Sequence, residues 1–118
     1  MRRRRVVDVP VWHGHGVAIR ADIEAHKGNR TMVLLHFDNN LDGKVENFEA
    51  GLAPPEYVSV HSMEYNIPKD LVVGHDAGII RIVITNKRRS DKPLQLRMVL
   101  SGQGWGQKDV ILRKFPVV

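Results

Sequence analysis

The chain has 118 residues, 42% hydrophobic and 26% charged, with a net charge of +5 and no cysteine. That length suits one core rather than two. The lack of cysteine excludes a disulfide scaffold or a thiolate metal site, and no apolar run reaches the roughly 18 residues of a membrane helix. Arg2 to Arg5 supply four of the five net charges and leave +1 for the remainder, so the basic character belongs to a tail. A basic tail at 1–5 and a single domain at 6–118 are expected, without a nucleic-acid-binding surface on the domain.

Taken in chain order, turn signals arrive at short intervals: GHG at 14–16, HKGN at 26–29, DNNLDG at 38–43 and APP at 53–55. NIPKD at 66–70, GHDAG at 74–78, NKRRSDKP at 86–93 and SGQGWGQ at 101–107 continue the series. In VAIRADIEA (17–25), Val17, Ile19, Ala21, Ile23 and Ala25 share one apolar face. Ala18, Arg20, Asp22 and Glu24 share the other, which is the period-2 pattern of a half-buried strand. TMVLLHF (31–37) and GIIRIVIT (78–85) are continuously apolar and β-branched, as central strands are. LQLRMVL (94–100) and DVILRKF (109–115) add two more, and no window of a dozen residues keeps helical periodicity without a Gly or Pro. About eight short strands at this spacing predict an all-β fold, an immunoglobulin-like antiparallel β-sandwich.

The segment DNNLDGKVENFE, Asp38 to Glu49, matches the EF-hand template, with Asp38, Asn40, Asp42 and Glu49 as calcium ligands and Gly43 at the sharp turn. A strand-like run precedes it, and Pro54 and Pro55 follow shortly after, where that motif needs helices. A polar hairpin turn with Asn and Gly at positive φ is the competing expectation. His13 and His15 would put two imidazoles on one strand face, but His26, His36, His61 and His75 are scattered. No Cys or H-x-x-x-H spacing supports a metal centre, so histidines without metal are expected and no cofactor is implied.

Chemistry of a catalytic kind has little to stand on. There is no G-x-S-x-G elbow and no cysteine nucleophile. Glu46, Glu49, Glu56 and Glu64 are not visibly paired, and the glycines of SGQGWG open no helix that could cradle a phosphate. The expectation is a protein that is not an enzyme. In LQLRMVL the residues Leu94, Leu96, Met98 and Leu100 share the core face, while Gln95, Arg97 and Val99 look outward. A cation beside an apolar patch suits an extended peptide with a carboxylate and an aromatic group. Trp105, framed by glycines, reads equally as a core plug or an exposed contact.

GIIRIVITNKRRSDKPLQLRMVLSGQGWG resembles the ear, or appendage, domains of clathrin adaptors, those of gamma-adaptin, alpha-adaptin and the monomeric GGA adaptors. The shared pattern is a hydrophobic strand, an Asn-Pro-type turn, and then Leu-Arg-Met-Arg-Ile-Lys-Leu, to which Leu94, Arg97 and Leu100 correspond. Phe115-Pro116 is similar to the Phe-Pro close of the ear, and NNLDGKVENFEAGLAPPEYVSV to its polar turn, Phe-containing strand and following Pro and aromatic. The resemblance implies a non-enzymatic sandwich that recruits accessory trafficking proteins through short peptide motifs. It places the chain on a parent adaptor complex in the cytoplasm, at Golgi, endosomal or plasma-membrane coated vesicles, touching membrane only through the coat. It further implies a peptide groove at Leu52, His61, Gln95, Arg97 and Val99, in which Arg97 alone keeps the family's basic row. Both a stand-alone ear and the sandwich part of a larger appendage fit the resemblance.

Overall fold

The computed structural model describes residues 6–87 and 95–112. Leu94, Arg88, Arg89, Lys92, the Arg2–Arg5 tail and Phe115-Pro116 lie outside these residues. Eight strands follow in order: β1 (Val6–Gly14), β2 (Val17–Lys27), β3 (Arg30–Asn39), β4 (Glu46–Leu52), β5 (Val58–Asn66), β6 (Gly74–Asn86), β7 (Leu96–Gln103) and β8 (Gly106–Leu112). Two antiparallel sheets result, one ordered β1-β2-β3-β6-β5 and the other β4-β7-β8. The expected β-sandwich is what forms, and the two runs expected to be central, β3 and β6, do sit inside the larger sheet. β1 and β5 had no clear sequence signal, because Pro10 breaks the first and the second is mostly polar.

Alternation explains how the sheets meet. Val33, Leu35 and Phe37 of β3, Ile80, Ile82 and Ile84 of β6, and Val17, Ile19 and Ala21 of β2 are buried on one side of the large sheet. Leu96, Met98 and Leu100 of β7, Val110 and Leu112 of β8, and Phe48 and Ala50 of β4 are buried on the facing side of the small sheet. Period-2 burial on both partners is what a two-layer sandwich requires. The β1–β2 hairpin turns on His15 and Gly16, with φ of 50° and 80°, the paired positive values of a type I′ turn. Gly16 also has no room for a side chain, since a Cβ there would stand 2.2 Å from Leu41 Cδ2.

Three local expectations are corrected. GHDAG is not a turn but the start of β6, where positive φ at Gly74 and Asp76 accommodates a register break opposite Phe37 and Asn39. DNNLDG is not a hairpin, because β3 pairs with β6 and β4 with β7, so the segment crosses from one sheet to the other. None of its residues has positive φ. Its shape comes from the buried Asn39 instead. The Asn39 amide donates to the carbonyls of Gly43 (3.1 Å) and Leu71 (2.9 Å), and its oxygen accepts from the Leu41 N–H at 2.8 Å.

Trp105 is a half-buried clamp at the same end of the sandwich. Its ring packs on Phe48 with centroids 6.1 Å apart, and Lys108 Nζ stands 5.3 Å from its centroid. The Trp105 Nε1–H donates to the His15 carbonyl at 2.9 Å, tying the β7–β8 hairpin to the β1–β2 hairpin. His15 lies in the turn, so the expected alternation with His13 on one face fails.

Candidate peptide-docking face

The outer faces of the two sheets treat charge differently. On the large sheet, Arg20 of β2 donates to Asp38 Oδ2 (2.6 Å), Asp8 Oδ1 (2.6 Å) and Asp76 Oδ1 (2.7 Å). His36 of β3 stands between Asp22 and Asp76, each ring nitrogen 2.8 Å from a carboxylate oxygen. One step along, Arg81 of β6 holds Glu24 at 2.8 Å and also bonds Glu64. Burial opposes ionisation of Asp38, but the Arg20 guanidinium and the Asp76 N–H outweigh it and hold the carboxyl below its usual range. Asp22 behaves alike, with burial opposed by the Asp8 N–H and His36. The bonds to Asp38, working against burial, raise the guanidinium of Arg20 above its ordinary value. Each of these carboxylates is thus held by Arg20, His36 or Arg81 of the same sheet, and this part of the face offers a partner little.

The same network disposes of the calcium template. Asp38 is 3% exposed with its carboxylate held by Arg20, while Asn40 and Asp42 are exposed on the crossover and Glu49 lies on β4 of the other sheet. Strands, not helices, flank the segment. Among the described residues no three His, Asp or Glu side chains converge as a metal site.

The small sheet differs. β7 is its middle strand, and burial of Leu96, Met98 and Leu100 turns Gln95, Arg97 and Val99 outward together. Arg97 is exposed and has no ion pair among the described residues, and Val99 beside it is half-buried. Register places Gly51 of β4 and Asp109 of β8 on either side of Val99. Arg97 has Ile111 on one side and Ala53 on the other, whose N–H donates to the Arg97 carbonyl at 2.8 Å. Beside Ser101 stand Glu49 and Gln107. A side chain added at Gly51 would meet nothing closer than the Val99 carbonyl at 3.9 Å, so a shallow notch opens next to Val99.

Gln95, Arg97 and Val99 are thus brought together, but Leu52 and His61 do not join them. Leu52 is paired with Met98 and packs against the core from the inner side. His61 is opposite Val83 on the outer face of the other sheet. Gly51 and Ala53 occupy the places on the Arg97 face that Leu52 was expected to fill. No local signal marks them, because the β4–β7 register joins segments far apart in sequence. Asp109 and Ile111 could have been found from the alternation of DVILRKF, with Val110 and Leu112 inward.

Beyond β4 lies an open groove lined by Asn47 to Gly51, Tyr65, Ile67 and Lys69. Hydrogen bonding between Ala53 and Arg97 fixes the ladder phase, so the Leu52 N–H and C=O point away from β7 toward this groove.

No protein-family model matches the chain, and no curated protein matches it by sequence. Solved structures do. The GAE domain of yeast GGA1 superimposes with a TM-score of 0.75 at 12% identity, covering 92% of this chain and 99% of that one. The fold is that of a gamma-adaptin ear. The GAE domain of GGA2p from Saccharomyces cerevisiae has a TM-score of 0.71 at 14% identity, covering 97% of this chain and all of that one. The ear fold is therefore carried with few residues in common, which is possible because the alternation of buried and exposed positions, rather than particular side chains, specifies a sandwich.

Proposed function

We propose that this chain is a non-enzymatic interaction domain of the clathrin-adaptor ear type. It recruits accessory trafficking proteins by holding short extended peptides on the outer face of β4-β7-β8. One observation carries the reading: on an ear fold, Arg97 is exposed and unneutralised beside the half-buried Val99 and the notch at Gly51. A peptide carboxylate meets Arg97 and an aromatic ring rests on Val99 across Gly51. Gln95 extends the face, with Leu52 supporting it from beneath. Free energy from a few side chains must offset the ordering of a flexible peptide, so affinity falls at about 10–100 µM. Repeated contacts at a coat then add by avidity. The expected setting is a cytoplasmic adaptor at coated vesicles, and among the described residues no helix is long and apolar enough to cross a membrane.

Amide NMR titration with a pool of acidic-aromatic peptides tests this. Shifts should cluster at Gly51, Leu52, Ala53, Arg97 and Val99, and Arg97→Glu should remove them while leaving the melting temperature unchanged. Silence toward every peptide, or shifts confined to the large sheet, would reject the site.

A further inference from the structure

The outer face of the small sheet is not simply basic. Glu49 on β4 and Asp109 on β8 are both exposed and, like Arg97, form no ion pair among the described residues. This contrasts with the large sheet, where six outward carboxylates (Asp8, Asp22, Asp38, Asp76, Glu24 and Glu64) each bond to Arg20, His36 or Arg81. The small-sheet charges are fixed in order by register. Along β4 and the residue that follows it the outward positions run Glu49, Gly51, Ala53, and across from them on β7 stand Ser101, Val99 and Arg97. Asp109 closes the far side of Val99.

A strand laid along the open side of β4 would meet these positions in sequence. Strands lie about 4.8 Å apart and same-face residues about 7 Å apart along a strand. The side chain beside Ala53 can reach over its methyl group to Arg97, two strands away. The one beside Gly51 crosses an empty position onto Val99, where Asp109 disfavours a second carboxylate. The one beside Glu49 faces a carboxylate directly. From the opposite edge, β8, Arg97 is screened by Ile111. At this edge the Phe48 N–H already donates to the Lys69 carbonyl (2.8 Å) and the Ala50 N–H to the Tyr65 hydroxyl (3.3 Å). The peptide backbone therefore pairs at the Leu52 N–H and C=O alone, and alternate peptide side chains would fall into the groove at Tyr65 and Ile67.

We infer that the occupant of this face is an extended peptide of mixed charge: an acidic residue, an aromatic residue and a basic residue at alternate positions, with Glu49 and Asp109 selecting against purely acidic motifs. The inference rests on the docking reading above and adds its charge specificity. Pairing along β4 in either direction keeps the pattern, since reversal only exchanges which end is acidic.

Fluorescence anisotropy with four labelled peptides sharing a Phe centre tests it. Their cores are Asp-Gly-Phe-Gly-Lys, its reverse Lys-Gly-Phe-Gly-Asp, the all-acidic Asp-Gly-Phe-Gly-Asp and the all-basic Lys-Gly-Phe-Gly-Lys. One mixed peptide should bind about fivefold tighter than the all-acidic one, the range of one exposed ion pair gained and one repulsion removed. The preference should fade at about 1 M salt, where charges are screened within roughly 3 Å. Glu49→Gln should abolish it and Glu49→Lys should reverse it in favour of the all-acidic peptide, with melting unchanged. All-acidic binding as tight as mixed binding in the unaltered protein overturns the inference, and if that binding still needs Arg97 the docking reading survives. Failure of all four peptides to bind removes both.

Discussion

Replacing Arg20 with leucine should destabilise the protein by about 3 kcal/mol, and almost all of the loss should come from Asp38. Arg20 holds three carboxylates, but those of Asp8 and Asp76 are 63% and 56% exposed, and exposed pairs contribute only about 0–1 kcal/mol each. The Asp38 side chain is 4% exposed and bonded at 2.6 Å and 2.9 Å. Removing the cation leaves a buried carboxylate with the Asp76 N–H and the more distant His75 imidazole as its remaining partners, and breaking a buried pair from one side costs roughly 3–5 kcal/mol. Partial exposure of Arg20 itself, at 22%, places the expectation at the lower end. The loss corresponds to about 10–15 °C in melting temperature for a chain of this size.

The sign with pH follows from the direction of the shift. Asp38 is held below its ordinary value in the folded state, so its contribution is present above the ordinary carboxylate range and is lost as pH falls through the folded value. The gap between the parent protein and Arg20→Leu should therefore be full at pH 7 and close as pH drops below about 4. Urea titrations across pH, with Asp38→Asn as the second arm of a double-mutant cycle, measure this. Were Arg20→Leu to cost the same in the Asp38→Asn background as in the parent, the pair would be uncoupled and the reasoning refuted.

Other expectations concern single side chains. Asn39→Leu should cost about 2–3 kcal/mol by leaving the Gly43 carbonyl and the Leu41 N–H without their partner and by taking from the Leu71 carbonyl one of its two donors, the Val45 N–H remaining, read by thermal melting. Trp105→Ala should cost about 2 kcal/mol, and amide exchange should rise in both hairpins that it joins. Leu52→Ala should lower stability by about 1–2 kcal/mol while leaving peptide affinity within about twofold. A large affinity loss there would mean that Leu52 meets the peptide directly.

Much of this protein was determined by its sequence. Alternation in 17–25 placed Arg20 and Asp22 opposite the core face, the β-branched runs at 31–37 and 78–85 became interior strands, and Arg97 and Val99 faced outward once Met98 and Leu100 faced in. These outcomes follow from local periodicity, because in a strand a residue's neighbours along the chain decide which way it points. Tertiary structure decided what each outward residue met. Arg20 and Arg97 look alike in sequence, each an arginine on the outward face of an alternating strand. One is locked among Asp8, Asp38 and Asp76, from β1, β3 and β6, and the other stands free between Ala53 and Ile111. Likewise DNNLDG reads as a hairpin until its flanking strands are seen in different sheets, with Asn39 bonded to Leu71 from a distant loop. Strand pairing joins segments tens of residues apart, and a shift of one residue would reverse every face. Local sequence fixes the direction of a side chain, but only the assembled register fixes its partner.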